Sequence, residues 1–298
     1  MKTRRFRSFA KVNLGLEVTG RLESGYHELK TLFAALSLHD TIDITPARGG
    51  ISVRSDHGQV PDDEKNLAHR AALALQRLSG RRSGVAIRIR KRIPVGAGLG
   101  GGSSNAGTVL RALDLMWGLG LGPSGLLETA KSLGADVPYF LVGGPALGLG
   151  RGDDIHPLDL RLNQRVLLVP GQGGLSTAAV FKRFVWSARP PGAPSRIDAF
   201  LRRPEPQRLS RLRNDLDQAA FQESYALDAM ARRVRRIGRK TGASLAAMSG
   251  AGSSFFLLFD GTESERAAAI ALREAGIPAK RASFLSRRTY ERRFEILD

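Results

Sequence analysis

The chain has 298 residues, 42% hydrophobic and 25% charged, enough apolar content to bury one large core or two ordinary ones. The absence of cysteine excludes disulfide scaffolds and thiolate metal centres, and no apolar run approaches the roughly 18–20 residues of a membrane span. Lys and Arg number 46 against 28 Asp and Glu, and the resulting +18 favours nucleic acid, anionic membrane or phosphorylated metabolites without choosing among them.

The first residues, Met1-Lys2-Thr3-Arg4-Arg5-Phe6, lack the apolar stretch of a signal peptide, so a soluble cytoplasmic protein without a membrane partner is expected. Residues 9–19 alternate apolar with small or polar side chains as a strand does, which puts Lys11 and Asn13 on one face. Gly25 marks a turn, and β-rich stretches follow through 33–38 and 40–44. Residues 46–64 are loop-rich. From Asn66, the spacing of Leu67, Ala71, Leu75 and Leu78 is that of an amphipathic helix. Val85, Ile87 and Ile89 alternate with Ala86, Arg88 and Arg90, a strand with one wet face that Pro94 ends. A glycine loop then runs into a helix expected to start near Ser103 or Ser104, with Ala106, Val109, Leu110, Leu113 and Trp117 on its apolar face.

Glycines 118 to 125 break that helix, another covers roughly 124–133, and a second glycine-rich segment spans 143–152. A domain boundary is expected near 158, giving units 1–158 and 159–298, with a new strand at 166–169. Residues 186–210 hold five of the 14 prolines and read as a loop or a poorly ordered excursion. Leu227, Met230, Val234 and Ile237 stripe a helix whose other face is arginine; 255–259 is a buried-strand candidate, and Ala267, Ile270 and Ala271 give a last helix. The basic segments (4–7, 88–92, 202–213, 232–236) are dispersed rather than gathered in a tail and read as solvated faces, so no specific nucleic acid is expected as partner.

The strongest signal is Pro94-Val95-Gly96-Ala97-Gly98-Leu99-Gly100-Gly101-Gly102-Ser103-Ser104-Asn105-Ala106. Glycines let backbone approach a ligand closely, and a following helix N-terminus adds free N–H groups and positive dipole, so the segment reads as an anion cradle. Gly96-x-Gly98-x-x-Gly101 matches the dinucleotide fingerprint only formally, because the acidic residue required about 20 positions on, at the end of a second strand, is missing. A P-loop needs Gly-Lys-Ser/Thr, whereas Gly102 is followed by Ser103-Ser104; His-Arg-Asp and Asp-Phe-Gly are also absent.

The pattern Pro-x-x-x-Gly-Leu-Gly-Gly-Gly-Ser-Ser-Asn-Ala resembles the second motif of the galactokinase, homoserine kinase and mevalonate kinase (GHMP) superfamily, in the form found in its diphosphocytidyl-methylerythritol kinase family. Ala10-Lys11-Val12-Asn13-Leu14 with Gly25-Tyr26-His27-Glu28-Leu29, Gly134-Ala135-Asp136-Val137-Pro138-Tyr139-Phe140, and Met248-Ser249-Gly250-Ala251-Gly252-Ser253-Ser254 resemble that family's other motifs. Asn66-Leu67, Thr177 with Phe181, and Asn214-Asp215-Leu216 also fit. The resemblance implies an α+β two-domain GHMP kinase fold. Its first domain is a mixed β-sheet and helix unit, ribosomal protein S5 domain 2-like; its second is ferredoxin-like; the active site lies in the cleft between them. It also implies transfer of the γ-phosphoryl of ATP to a substrate hydroxyl, with Mg²⁺ arriving with the nucleotide and no protein-held metal.

By resemblance Asp136 is the catalytic base and Lys11 pairs with it; Asn66 and residues 94–104 bind ATP; Asn13, Tyr26, His27, Thr177, Phe181 and Gly250 bind substrate, Tyr26 stacking on a cytosine and His27 reading its edge. Ser104 is a candidate to face phosphate or Mg²⁺. Ala178 stands where the family has proline after the threonine. Without the family, Asp136 reads equally well as a helix N-cap and Lys11 as a solvated lysine. Other kinases of the superfamily (homoserine, mevalonate, sugar) stay open, as do a basic nucleic-acid-binding protein and an inactive relative. A monomer or weak homodimer is expected.

Overall fold

The computed structural model describes residues 2–171, 174–185 and 194–296. The strands are β1 (Arg4–Arg21), β2 (His27–Ala47), β3 (Ile51–Ser55), β4 (Gly84–Arg90), β5 (Ala146–Leu149), β6 (Asp154–Pro157), β7 (Arg165–Val169), β8 (Leu245–Met248), β9 (Phe255–Phe259), β10 (Lys280–Ser283) and β11 (Glu295–Ile296). The helices are α1 (Leu67–Ser79), α2 (Gly101–Trp117), α3 (Gly122–Leu133), α4 (Tyr139–Val142), α5 (Thr177–Arg183), α6 (Arg196–Arg202), α7 (Asp217–Glu223), α8 (Tyr225–Lys240), α9 (Thr262–Glu274) and α10 (Arg287–Arg292).

β1 and β2 form a long antiparallel ribbon. It heads a sheet ordered β11-β1-β2-β4-β3, with β5 on another part of β2 and β6 on β5; β3 and β4 run parallel. The stretches expected at 33–38 and 40–44 are thus one continuous strand. Phe6, Ile42, Ile44, Ile87 and Ile89 project from one face into a core completed by Ala71 and Leu75 of α1 and Val109, Leu110 and Leu113 of α2.

The second sheet is ordered β10-β7-β9-β8, all antiparallel. With helices between β7 and β8 and between β9 and β10, its connectivity is the βαββαβ of a ferredoxin-like unit. One face carries α8 and α9, packed through Leu227, Val234, Ala268 and Leu272 onto Leu167, Leu257 and Phe259. The alternate residues Val166, Leu168, Phe256 and Leu258 pack the other face onto Val12, Leu14, Leu32 and Leu36 of the first sheet. Period-two alternation therefore divides β1, with Ala10, Val12 and Leu14 in the seam and Lys11 and Asn13 on the opposite face.

Several expectations need correction. Residues 46–64 contain β3, and 143–152 contain β5, both too short to show a period in the sequence. The excursion read as loop at 186–210 contains α6 and a 3-10 turn over 206–211; residues 186–193 lie outside the described residues. α2 begins at Gly101, two or three residues before the predicted start, capped by Gly100 in the left-handed region at φ +69. The chain passes to the second sheet after β6, yet β11 returns to pair with β1, so the last residues complete the first sheet.

A buried polar knot fixes α2 against that sheet. Asp40, fully buried, accepts from the amides of Arg92 (2.7 Å) and Ile93 (2.8 Å) and from Asn105 Nδ2 (2.9 Å), and forms an ion pair with buried Lys91. Ser8 Oγ receives Asn105 Nδ2 at 2.8 Å and lies 2.7 Å from Ser104 Oγ. Removing one member of a buried ion pair leaves the other uncompensated, at a cost of about 3–5 kcal/mol. Asp40→Asn is accordingly expected to lower unfolding stability by about that amount. Denaturant titration checks it, and a change under about 1 kcal/mol would mean the knot does not hold the helix.

Candidate active site

The glycine loop crosses the mouth of the seam between the sheets. Gly96, Gly98 and Gly100 all have left-handed φ, from +64 to +77, a conformation glycine adopts without the cost borne by other residues. The loop is pinned through carbonyls: Lys11 N donates to Leu99 O (3.1 Å), Ser249 Oγ to Gly98 O (2.8 Å) and Ser254 N to Ala97 O (3.1 Å). A Cβ on Gly98 would lie 2.2 Å from Ser249 O, and one on Gly100 2.8 Å from the Phe140 ring. The glycines thus permit tight backbone packing against the segment 249–254 as well as approach to a ligand. At the start of α2 the first amides have no intrahelical acceptor and carry the positive end of the dipole, so an anion is favoured there.

A cavity of about 570 Å³ opens over this loop. Among the expected residues, Lys11, Asn13, Asn66, Pro94, Val95, Gly96, Ala97, Gly98, Gly100, Gly101, Gly102, Ser103, Asp136, Thr177, Phe181 and Gly250 line it. Leu99 and Ser104 do not. Leu99 is fully buried in the seam core, and Ser104, also fully buried, donates its hydroxyl to Phe9 O at 2.6 Å. Leu99 points into the seam, and Ser104, on the inner face of α2, turns its hydroxyl to the Phe9 carbonyl; the expectation that Ser104 meets phosphate or Mg²⁺ is therefore corrected.

Lys11 and Asp136 meet at 3.3 Å. Lys11 comes from the middle of β1 with its side chain only 4% exposed, while Asp136, on the turn between α3 and α4, is 38% exposed on its side chain. Lys11 Nζ also donates to Asn13 Oδ1 (2.7 Å) and stands 5.4 Å from the centroid of the Phe33 ring. Asn13 Nδ2 donates to Thr31 Oγ1 (2.7 Å), and Thr31 donates to Gly15 O (2.9 Å). That chain orients the Asn13 amide with its oxygen toward the lysine. A Cβ on Gly250 would sit 3.2 Å from Asn13 Oδ1 and 3.5 Å from Lys11 Nζ, so the glycine leaves the pair room. A fixed cation beside a half-exposed carboxylate, next to an anion cradle, can hold developing negative charge and accept a proton.

The rest of the expected set lies toward the β1–β2 turn. Thr177 opens α5, whose N-cap Ser176 accepts from Ala179 N, and Phe181 follows one turn later. His27 and Tyr26 do not line the cavity: the His27 ring stacks on Phe181 at 5.3 Å and 29°, and Tyr26 projects, 60% exposed, with the Arg151 guanidinium 5.5 Å from its ring centroid. Burial lowers the His27 pKa from its usual value, and the nearby Arg21 charge adds to the effect, so the imidazole is neutral at neutral pH. Ala178 is the second residue of α5, where a helix accepts alanine as readily as proline.

Three features of the cavity escaped the sequence. Gln59, Val60, Pro61 and Lys65 form one wall, in a segment without periodicity; Asn66 caps α1 through Ala68 N (2.9 Å) and holds this wall by donating to Pro61 O (2.7 Å). Lys91 and Arg151 also line the cavity, each already paired with a carboxylate, Asp40 and Asp153 respectively. Only the glycine flanks of Arg151 hinted at exposure to a ligand. Among the described residues no group of three or more His, Cys, Asp or Glu side chains could hold a metal ion.

Two family models match the chain, the GHMP kinases N terminal domain over residues 66–144 and the GHMP kinases C terminal over 197–277. The 4-diphosphocytidyl-2-C-methyl-D-erythritol kinase of Pelodictyon phaeoclathratiforme is 35% identical over 272 residues, covering 90% of this chain and 93% of that protein. The enzyme of the same name from Kineococcus radiotolerans is 39% identical over 264 residues, covering 85% and 80%. A crystal structure of 4-(cytidine 5'-diphospho)-2C-methyl-D-erythritol kinase superposes with a TM-score of 0.76 at 37% identity, covering 94% of this chain and 98% of that one. Homoserine kinase from Cytophaga hutchinsonii, at 18% identity and a TM-score of 0.73, covering 96% and 98%, shares the fold.

Gly98→Ala is expected to weaken binding of a non-hydrolysable ATP analogue at least tenfold, since the added methyl must displace the Ser249 carbonyl 2.2 Å away. Calorimetric titration of the folded variant decides it; a dissociation constant within twofold of the parent's would show that the loop has slack.

Proposed function

The chain belongs to the 4-diphosphocytidyl-2-C-methyl-D-erythritol kinases, a family within the GHMP kinases, and from that premise we propose that Lys11 and Asp136 act together at the outermost phosphorus of ATP held by the glycine loop. The chain is a small-molecule kinase that transfers the γ-phosphoryl of ATP to the 2-hydroxyl of 4-diphosphocytidyl-2-C-methyl-D-erythritol, a step of the methylerythritol phosphate route to isoprenoid precursors.

The carrying observation is the 3.3 Å contact between a buried lysine and a half-exposed aspartate beside the loop. Phosphoryl transfer needs the phosphates held in line, the developing charge stabilised, and the attacking hydroxyl oriented with an acceptor for its proton. The loop amides and the start of α2 hold the triphosphate. Asp136 takes the proton of the 2-hydroxyl as its oxygen bonds to the γ-phosphorus and ADP departs. Lys11 steadies negative charge on the transferring group, while Asn13, locked by Thr31, fixes the ammonium. GHMP kinases generally use Mg²⁺ with ATP. Bound with the triphosphate, it would neutralise phosphate charge during the transfer.

For the cytidine end, Tyr26 and Phe181 supply two faces between which a base can stack, and the neutral imidazole of His27 reads its polar edge. The exposed Tyr26 must fold inward to close that slot.

Asp136→Asn is expected to lower kcat by about 10²–10⁴-fold with little change in either Michaelis constant, the range for loss of a positioned base. Steady-state kinetics with coupled ADP detection tests this, and retained turnover would remove Asp136 from the mechanism. Tyr26→Ala is expected to raise the Michaelis constant for the cytidine substrate about fivefold or more and leave that for ATP within twofold, as loss of about 1–3 kcal/mol of base stacking requires. Equal rises in both would locate Tyr26 elsewhere in the reaction.

A further inference from the structure

The C-terminal segment sends one side chain beneath the active site. Tyr290, on α10, is 1% exposed, and its hydroxyl donates to Phe140 O at 2.9 Å. That carbonyl belongs to the single-turn helix α4, which follows Asp136 after two residues and is too short to satisfy its own carbonyls. The Tyr290 ring lies over Gly143, where a Cβ would come within 2.3 Å of it, and packs against Phe9 with centroids 5.2 Å apart. Phe9 precedes Lys11 by two residues on β1. The same phenol thus touches both segments that carry the catalytic pair.

The contacts continue upward. The Phe140 ring packs under Gly100, next to the Lys11 side chain, and the adjacent Tyr139 packs at a tilt against Phe33, over which the Lys11 ammonium sits. Phe9, Phe33, Tyr139, Phe140, Leu285 and Tyr290 form one small core directly below the pair. From behind, the Arg111 guanidinium of α2 lies 5.3 Å from the Tyr290 ring centroid and 3.9 Å from that of Phe294. Leu285 N donates to Ala35 O (2.9 Å), tying the start of the segment to β2. Burial raises the Tyr290 pKa from its usual value despite Arg111, so the phenol remains a donor.

We propose that Tyr290 is a positioning residue for phosphoryl transfer, a strut from the C-terminal segment that sets the separation of Asp136 and Lys11 through Phe140 and Phe9. This rests on the reading of Asp136 and Lys11 given above. A residue acting only on stability would change the melting temperature and leave turnover of the folded enzyme alone. A strut changes kcat, because a small misplacement of reacting groups costs rate without costing ground-state affinity.

The test is kinetics on full-length Tyr290→Phe, which keeps the ring and removes the hydroxyl, well below its melting temperature. The expected result is a kcat about tenfold lower with both Michaelis constants within twofold. A kcat within twofold of the parent's overturns the inference whatever the melting temperature. If Tyr290→Phe does not fold, Arg111→Gln, which removes the cation behind the ring, carries the same readings: lowered kcat with unchanged Michaelis constants supports the strut, unchanged kcat overturns it. Asp136→Asn and the double variant are run alongside. A strut acting through Asp136 gives no further loss on adding Tyr290→Phe to Asp136→Asn, whereas a full additional tenfold loss overturns it. High activity of Asp136→Asn alone would defeat the reading of the base, and unimpaired Tyr290→Phe beside an inactive Asp136→Asn would defeat only the strut.

Discussion

A lysine ammonium taken almost wholly out of water is the constraint around which this molecule is arranged. Desolvating such a charge is costly unless opposite charge and oriented dipoles replace the lost hydration. Around Lys11 the replacements come from separate parts of the chain: the Asn13 amide two residues on, the Asp136 carboxylate from the α3–α4 turn, and the face of Phe33 from β2. Each can reach the ammonium only if β1 sits with its odd-numbered side chains toward the cleft, which is what burying Ala10, Val12 and Leu14 in the seam enforces. Charge compensation and hydrophobic patterning thus impose the same register on β1.

The seam also explains why the glycine loop tolerates so little substitution in space. Nucleotide-binding loops are commonly pictured as open toward a ligand, yet here glycines also face protein. Gly98 abuts Ser249 O, and Gly96 lies against Gly174, whose added Cβ would be 2.8 Å from Gly96 O. The second contact joins the loop to the segment leading into α5, which carries Thr177 and Phe181. On the proposed reading, the triphosphate and cytidine sites therefore share a backbone junction. The 249–254 segment reaches back by Ser249 Oγ and Ser254 N to hold the loop's carbonyls. Anion binding by the free amides depends on that restraint, because a loop whose carbonyls were loose could turn them toward the phosphates.

What the sequence disclosed follows from what each signal measures. Alternation along residues 9–19 placed Lys11 beside Asn13 because a strand's period is local and one face was strongly apolar. The loop's function was readable because glycine density between a clear strand and a clear helix has few other causes. Asp136 was not readable from its neighbours, since Gly-Ala-Asp-x-Pro suits a cap equally well; its proposed role came from family resemblance, and its proximity to Lys11 from the fold. Ser104 was misread because helix phase was uncertain by two or three residues, enough to turn a hydroxyl from the cavity to the Phe9 carbonyl. Lys91 looked like one more charge on a wet strand, and nothing local shows that Asp40 waits behind it. Tyr290 lies far along the chain from every motif, in a helix of six residues. Short strands such as β5 and β10 are fixed by partners rather than by their own composition.

The large positive charge becomes intelligible at the cleft. Among the described residues its cationic side chains are Lys11, Lys65, Lys91 and Arg151, against the single carboxylate Asp136 in the lining. Both substrates carry phosphates, and a cleft of one sign draws them in over distances of about a Debye length. Three of these cations are nevertheless paired, with Asp136, Asp40 and Asp153. Pairing weakens the net field but fixes each head group, and fixed charge is what stabilises a transition state without reorganisation during the reaction. Asp40 lies behind Lys91, away from the lining, and Asp153 likewise lies outside it, so both partners hold their cations without occupying space that phosphate needs. Among the described residues Asp136 alone of the carboxylates lines the cleft, and on the proposed mechanism it is the one whose own chemistry the reaction requires.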